Sequence, residues 1–276
     1  MKVFTPTRVS SHITEIRDIT GVSAYLVTGE EKAVLIDTCT GVKGLKALVE
    51  SLTDLPITVL LTHSHGDHSG SIADFDEVWI HPDDLRFLKG EGASGFEMRY
   101  GFAKGNAPDA GFTPDDMVPD PAPDKEYQFL ADGMVFDLGG FHVETIHVAG
   151  HTAGSCTFLF QEERSMLYGD ALNTNTLLSC RESTTIETYK KSLLHLKTYD
   201  DRYDVAYYSH GPAIGPKSCI DDNLELCDQI LEGTDFGLEV PALGGGTAYL
   251  AAEREGFIER KDGKFGNIVY DRARIR

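Results

Sequence analysis

Four side chains able to bind a metal stand within six consecutive positions of this chain. They are His63, His65, Asp67 and His68, in the run Thr62-His63-Ser64-His65-Gly66-Asp67-His68. Packing does not call for such a cluster, because a buried histidine is satisfied by one or two hydrogen-bond partners. Neutral imidazole and carboxylate are the usual ligands of zinc, and imidazole serves iron and other transition metals as well. The apolar run 57–61 before the cluster reads as a buried strand, so the ligands begin where a strand ends and a loop opens. Three more candidates have the same setting. His151 follows the strand-like run 141–146, Asp170 ends the run 166–170, and His210 ends the run 205–210. Each has a glycine beside it, where the backbone turns sharply.

In that order, His63, His65, Asp67, His68, His151, Asp170 and His210 resemble the metallo-β-lactamase-fold superfamily over about residues 9 to 235. The run Leu35-Ile36-Asp37-Thr38 and the turn Gly150-His151-Thr152 support the resemblance; alanines 149 and 153 stand where the family often has proline. The resemblance implies an α/β fold, a four-layer αββα sandwich. It further implies a dinuclear centre, with His63, His65 and His151 on one metal, Asp67, His68 and His210 on the other, and Asp170 and a solvent hydroxide between them. Asp37 would support the ligand loops through hydrogen bonds; capping the helical stretch 42–52 is the plainer role for it. Zinc is the expected metal, with iron or manganese as alternatives. Three imidazoles and a carboxylate leave a coordination position open, as in a catalytic site, and none of the five cysteines lies in the motif.

The implied activity is hydrolysis of a small ester, thioester or lactone by the bridging hydroxide, with Asp67 as the catalytic residue that orients it and accepts a proton. The pattern is nearest the glyoxalase II and lactonase branches. It departs from both after Asp170: Asn173 stands where those lactonases carry tyrosine, and 171–176 lacks the Cys-Gly-Arg-like segment of glyoxalase II. A phosphodiesterase, an iron-dependent persulfide dioxygenase and a non-catalytic binding protein are the alternatives.

With 276 residues and a formal charge of −19, the chain reads as an acidic cytoplasmic enzyme with a small-molecule substrate. Nucleic acid is not an expected partner, since phosphate-backbone binding needs a basic surface. No apolar run reaches the roughly 20 residues that span a membrane. The odd, scattered cysteines suggest no disulfide framework. Oligomeric state is open.

We expect one domain over 1–276, with an insertion at about 89–125 and a variable segment at about 233–276. Strand-like apolar runs stand at 13–18, 22–27, 33–37, 78–80, 127–130, 134–138, 141–146, 156–160 and 268–270. Helical spacing predicts helices over 42–52, 184–197 and 220–231, and 247–255 reads as helix-like. The insertion is rich in glycine and proline and long for a plain connection. A lid over the site and a surface insertion are its two readings, with Phe96, Met98, Arg99, Tyr100 and Phe102 as candidate contacts. His12, His81, His142, His147 and His195 read as ordinary histidines outside the motif.

Overall fold

The computed structural model describes residues 2–91, 94–243, 245–256 and 259–276. Its first sheet has seven strands in sequence order: β1 (Phe4–Arg8), β2 (Ile13–Asp18), β3 (Ser23–Thr28), β4 (Ala33–Ile36), β5 (Ile57–Leu60), β6 (Val78–Ile80) and β7 (Gln128–Phe129). β1 to β4 pair antiparallel, and β4 to β7 pair parallel. The second sheet uses β8 (Val135–Asp137), β9 (His142–His147), β10 (Cys156–Phe160) and β11 (Ser165–Leu167). The chain then leaves it for β12 (Thr176–Leu178) and returns with β13 (Val205–Tyr207) and β14 (Ile214–Gly215).

Strand periodicity explains the layers, because alternate side chains point to opposite faces. Val34, Ile36 and Leu60 of the first sheet meet Val143, Phe158, Phe160 and Leu167 of the second in one core. Their neighbours Ala33, Leu35 and Val59 face the other way, onto Leu45 and Val49 of α1 (Leu45–Leu52). Likewise Ile146, Leu159, Met166 and Ala206 leave the second sheet on its outer face. They meet Ile186, Tyr189 and Leu193 of α4 (Ile186–Lys197) and Leu226 and Ile230 of α5 (Cys219–Glu232). Helix, sheet, sheet and helix stack in that order, as expected for the αββα sandwich.

Two short helices lie between. α2 (Gly66–Ser69) carries Asp67 and His68, and α3 (Phe96–Asn106) lies in the 89–125 insertion. That insertion packs on the loop after β4: the Val118 N–H donates to the Gly41 carbonyl at 2.7 Å and the Lys43 N–H to the Asp116 carbonyl at 2.9 Å. Arg99 is no substrate contact. It is 3% exposed and its Nη1 donates to the carbonyls of Gly70 and Val118, both at 3.0 Å. Phe96 and Tyr100 pack beside Val42, Ala103 and Met117, which leaves Met98, 56% exposed, facing solvent.

The C-terminal segment forms β15 (Leu238–Pro241), β16 (Thr247–Leu250), the hairpin β17 (Arg254–Glu255) and β18 (Glu259–Arg260), and β19 (Ile268–Tyr270). The third sheet runs β12-β19-β16-β15. The helix expected over 247–255 is therefore wrong. Ala248 and Leu250 are buried and alternate with more exposed neighbours, a period of two that pairing with β15 and β19 enforces. The first helix starts later than expected, with Gly44 at its N-cap in the left-handed region at φ 110°, so Asp37 does not cap it. All five cysteines are unpaired and buried. Among the described residues, no helix is long and apolar enough to cross a membrane.

Candidate metal centre

Three backbone devices help bring six of the seven predicted ligands to one end of the sandwich. β5 ends at Leu60, and two residues later Thr62 is held by Asp37. The Thr62 N–H donates to Asp37 Oδ1 at 2.8 Å, and its hydroxyl donates to Oδ2 at 2.8 Å. Asp37 itself sits at φ 63°, a left-handed backbone that Asp tolerates better than most residues. After β11 the chain turns at Gly169, φ 57°, where a Cβ would lie 2.8 Å from the Thr62 side chain. Before His151, Gly150 lies against the Tyr189 ring, which a Cβ would overlap at 2.2 Å.

Three of the five imidazoles are oriented by a hydrogen bond at the outward nitrogen. With the Thr62 hydroxyl proton given to Asp37, its oxygen accepts from His63 Nδ1 at 3.0 Å. His68 Nδ1 donates to Asp37 Oδ2 at 2.8 Å, and His151 Nδ1 donates to the Leu177 carbonyl at 2.7 Å. In the neutral form that a ligand requires, these three rings turn their Nε2 lone pairs inward. His65 presents Nδ1 instead, 2.9 Å from His151 Nε2, with its Nε2 3.6 Å from Glu182. His210 Nε2 lies 3.1 Å from His68 Nε2 and 3.4 Å from both Asp67 and Asp170. Asp170 divides its oxygens: Oδ1 is 3.6 Å from His68 and 3.4 Å from His210, and Oδ2 is 3.6 Å from His151.

The donor atoms form compact sets. Those of His63, His65 and His151 lie within 4.8 Å of one another, as do those of Asp67, His68 and His210, and those of His63, His68 and Asp170. His63 Nε2 and Asp170 Oδ1 are buried without a hydrogen-bond partner. Lone pairs converging on one another in a buried site are unfavourable unless a cation stands among them. The residues thus fit a pair of divalent ions bound by nitrogen and oxygen. His81, Asp83 and His147 also come together, but the two imidazoles stack at 3.9 Å and 9° between planes. Lone pairs lying in parallel planes do not converge on one ion.

Charge separates the two sets. Burial, reinforced by His68, His65 and His151, holds the His63 imidazole well below its ordinary range. Burial and His65 bring His151 down to about 4. For His68 and His210 burial also opposes charge, but the carboxylates win. Asp67, Asp170 and Asp37 raise His68 well above its ordinary range, and Asp170 with Asp67 raises His210 to about 10. Burial pushes the carboxyls of Asp67 and Asp170 up, yet His68 and His210 hold both well below the usual carboxylate range. Access also differs: the His210 side chain is 31% exposed and that of Asp67 17%, whereas His63 and His68 are fully buried. The opening is on the Asp67–His210 side.

Two buried carboxylates escaped sequence reasoning. Asp84 lies in an ordinary-looking His-Pro-Asp-Asp turn and accepts hydrogen bonds from both histidine loops. Glu182 faces His65 from the loop after β12. Nothing local in the sequence marks either, because their partners are distant in the chain.

Comparison with known proteins gives a consistent assignment. The family model described as the metallo-beta-lactamase superfamily matches residues 17–210. The chain is 25% identical over 198 residues to an atrochrysone carboxyl ACP thioesterase of Claviceps purpurea, covering 70% of this chain and 52% of that protein. It is 29% identical over 199 residues to the atrochrysone carboxyl ACP thioesterase nsrC of Aspergillus novofumigatus, covering 70% and 50%. The chain thus spans about half the length of these curated relatives. Among solved structures, the metallo-beta-lactamase from Pontibacter korlensis superposes with a TM-score of 0.57 at 19% identity, covering 80% of this chain and 97% of that one. That likeness speaks for the fold alone.

Proposed function

The chain belongs to the metallo-beta-lactamase superfamily, and on that premise we propose that it is a metal-dependent hydrolase of a small acyl thioester, ester or lactone. Of these, the thioester is favoured by the names of its relatives. One observation carries the dinuclear reading: the Asp170 carboxylate turns one oxygen to His68 and His210 and the other to His151. His63, His65 and His151 would hold one ion, Asp67, His68 and His210 the other, and Asp170 would serve both. Zinc suits this donor set best, with iron or manganese as substitutes. Such ions supply acidity to a water and positive charge beside the acyl oxygen.

The chain's own residues do the rest. Asp67 stands at the opening, where its carboxylate orients the attacking water and takes up its proton. The fully buried His63 and His68 wall the other side against bulk water. His210, partly exposed beside Asp67, lies where the departing thiol or alcohol leaves. Glu182 steadies His65 from behind. Five unpaired, buried thiols fit the reducing cytoplasm.

Zinc-loaded protein should release free thiol from short acyl thioesters such as acyl-N-acetylcysteamine. Thiol-reactive dye reports this with little background, because the protein's own cysteines are buried. Full zinc content without thioester, ester or lactone turnover would overturn the proposal. So would preferential cleavage of phosphodiesters, or oxygen consumption by the iron-loaded protein.

A further inference from the structure

The geometry points to Asp84 as the positioning residue of the His63–His65–His151 set. This rests on the metal-centre reading above. Asp84 is fully buried, in the one-turn helix Pro82–Asp84 that follows β6. Its Oδ2 accepts from the Ser64 N–H at 2.9 Å and from the Thr152 hydroxyl at 2.8 Å, while Oδ1 accepts from the Gly154 N–H at 2.8 Å. Ser64 lies between His63 and His65, and Thr152 follows His151. One carboxylate therefore joins the two loops that carry this set, and those loops come from opposite sheets of the sandwich.

Gly154 gives independent support. Its φ is not in the left-handed region, so its backbone does not demand glycine. A Cβ there would lie 2.8 Å from Cβ, Cγ and Oδ1 of Asp84. The residue is glycine because the carboxylate approaches the loop so closely. Loop chemistry also makes the carboxylate hard to replace. Both oxygens accept backbone N–H groups, so an amide in either flip must turn its own NH2 against Gly154 or Ser64 and leave a buried donor unpaired.

His210 is tied to the first sheet by other means. The Ser23 N–H donates to the Ser209 carbonyl at 2.9 Å, and the Tyr25 hydroxyl donates to the Tyr208 carbonyl at 2.7 Å. Asp84 takes part in neither contact. A backbone bond from the Cys156 N–H to the Thr62 carbonyl at 2.8 Å also joins the sheets, but among the described residues Asp84 alone links Ser64, between His63 and His65, to the residues after His151, so losing it should loosen this set most.

The test titrates the metal-free, full-length protein with Zn2+ against a chromophoric chelator, comparing Asp84→Asn, Gly154→Ala and Tyr25→Phe with the unaltered chain. His151→Ala identifies which of two zinc affinities belongs to the set in question. We expect Asp84→Asn to weaken that zinc about 10- to 100-fold, the range seen when supporting partners of ligands are lost, and to leave the other within about threefold. Gly154→Ala, the milder change should Asp84→Asn not fold, should weaken the same zinc in the same direction. Tyr25→Phe should leave that zinc at its original affinity. Two zinc ions bound normally by Asp84→Asn, or equal weakening of both, would overturn the positioning role while sparing the hydrolase proposal. Failure of the unaltered chain to bind a pair of zinc ions would overturn both.

Discussion

At the scale of single residues, the centre depends on which nitrogen of each imidazole carries the proton. Asp37 fixes this for His68 by accepting from Nδ1, which turns Nε2 inward as a lone pair. In Asp37→Asn the backbone at φ 63° remains tolerable, because Asn also enters the left-handed region. The amide cannot satisfy both Thr62 and a protonated His68 Nδ1. With its oxygen on Thr62, it drives His68 to carry its proton on Nε2, the inward position. We expect the zinc of the Asp67–His68–His210 set to weaken about 10- to 100-fold and metal-free stability to fall by about 2 kcal/mol. Zinc titration and urea denaturation measure the two, and unchanged values in both would remove Asp37 from this role. Proton competition gives a second prediction. His151, at about 4 without metal, is already neutral at pH 5, so it releases no proton when zinc binds above that pH. His210, at about 10, must lose a proton to bind, so zinc affinity of its set should rise steadily from pH 6 towards 10. The sign follows from a raised pKa: the proton is held below it, and the cation must displace it. Isothermal titration at several pH values in two buffers counts the protons released. Equal release by both sets would contradict the assignment.

Among the elements, the C-terminal sheet has the largest consequence for the site. β12 lies between Asp170 and Glu182 in the chain, and its Leu177 carbonyl orients His151. Among the described residues β12 pairs only with β19, in parallel, and β19 in turn pairs with β16. A segment that looked variable in sequence thus holds one of the ligands. Val269 stands in the middle of β19, opposite Leu177 on one side and Leu250 on the other. Proline there removes a ladder donor from an inner strand, a place from which proline is all but excluded. We expect Val269→Pro to lower the melting temperature and to weaken zinc in the His151 set more than in the other. A melting loss with both zinc affinities intact would show that β12 keeps its place without β19. This coupling was not legible in the sequence, and the reason is physical. The seven candidate ligands, which the fold brings together, were legible because metal coordination would fix both the side-chain type and its short spacing, as in 63–68. The long helices were legible because burial on one side imposes a period, as in 186–196, and a strand buried on both faces shows as a short apolar run, as in 156–160. The four residues of β16 are too few to show a period, and their alanine and leucine suit a helix equally. Arg99 reads as a candidate contact of the insertion until Gly70 and Val118 are seen to close over it. Asp84 is 70 residues from Gly154, a contact with no local signature.

For the whole molecule, charge decides which thioesters reach the opening. The formal charge is −19, and two divalent ions would offset only about four of it. A field of that sign slows the approach of anions and does not affect neutral compounds. Screening removes it: the Debye length falls from about 30 Å at 0.01 M salt to about 8 Å at 0.15 M. If the substrate is a thioester, its carrier therefore matters. For an acyl group on neutral N-acetylcysteamine, kcat/KM should be flat across that salt range. For the same acyl group on coenzyme A, which carries several phosphate charges, kcat/KM should rise severalfold with salt, through KM rather than kcat. By the same logic, duplex DNA should not be retained even at about 50 mM salt, since the phosphate contacts that drive non-specific binding need a basic face. Initial rates at fixed acyl group and varied salt separate the alternatives. A coenzyme A rate that falls as salt is added would mean that a local positive patch at the opening outweighs the net charge, and the substrate would then be anionic by design.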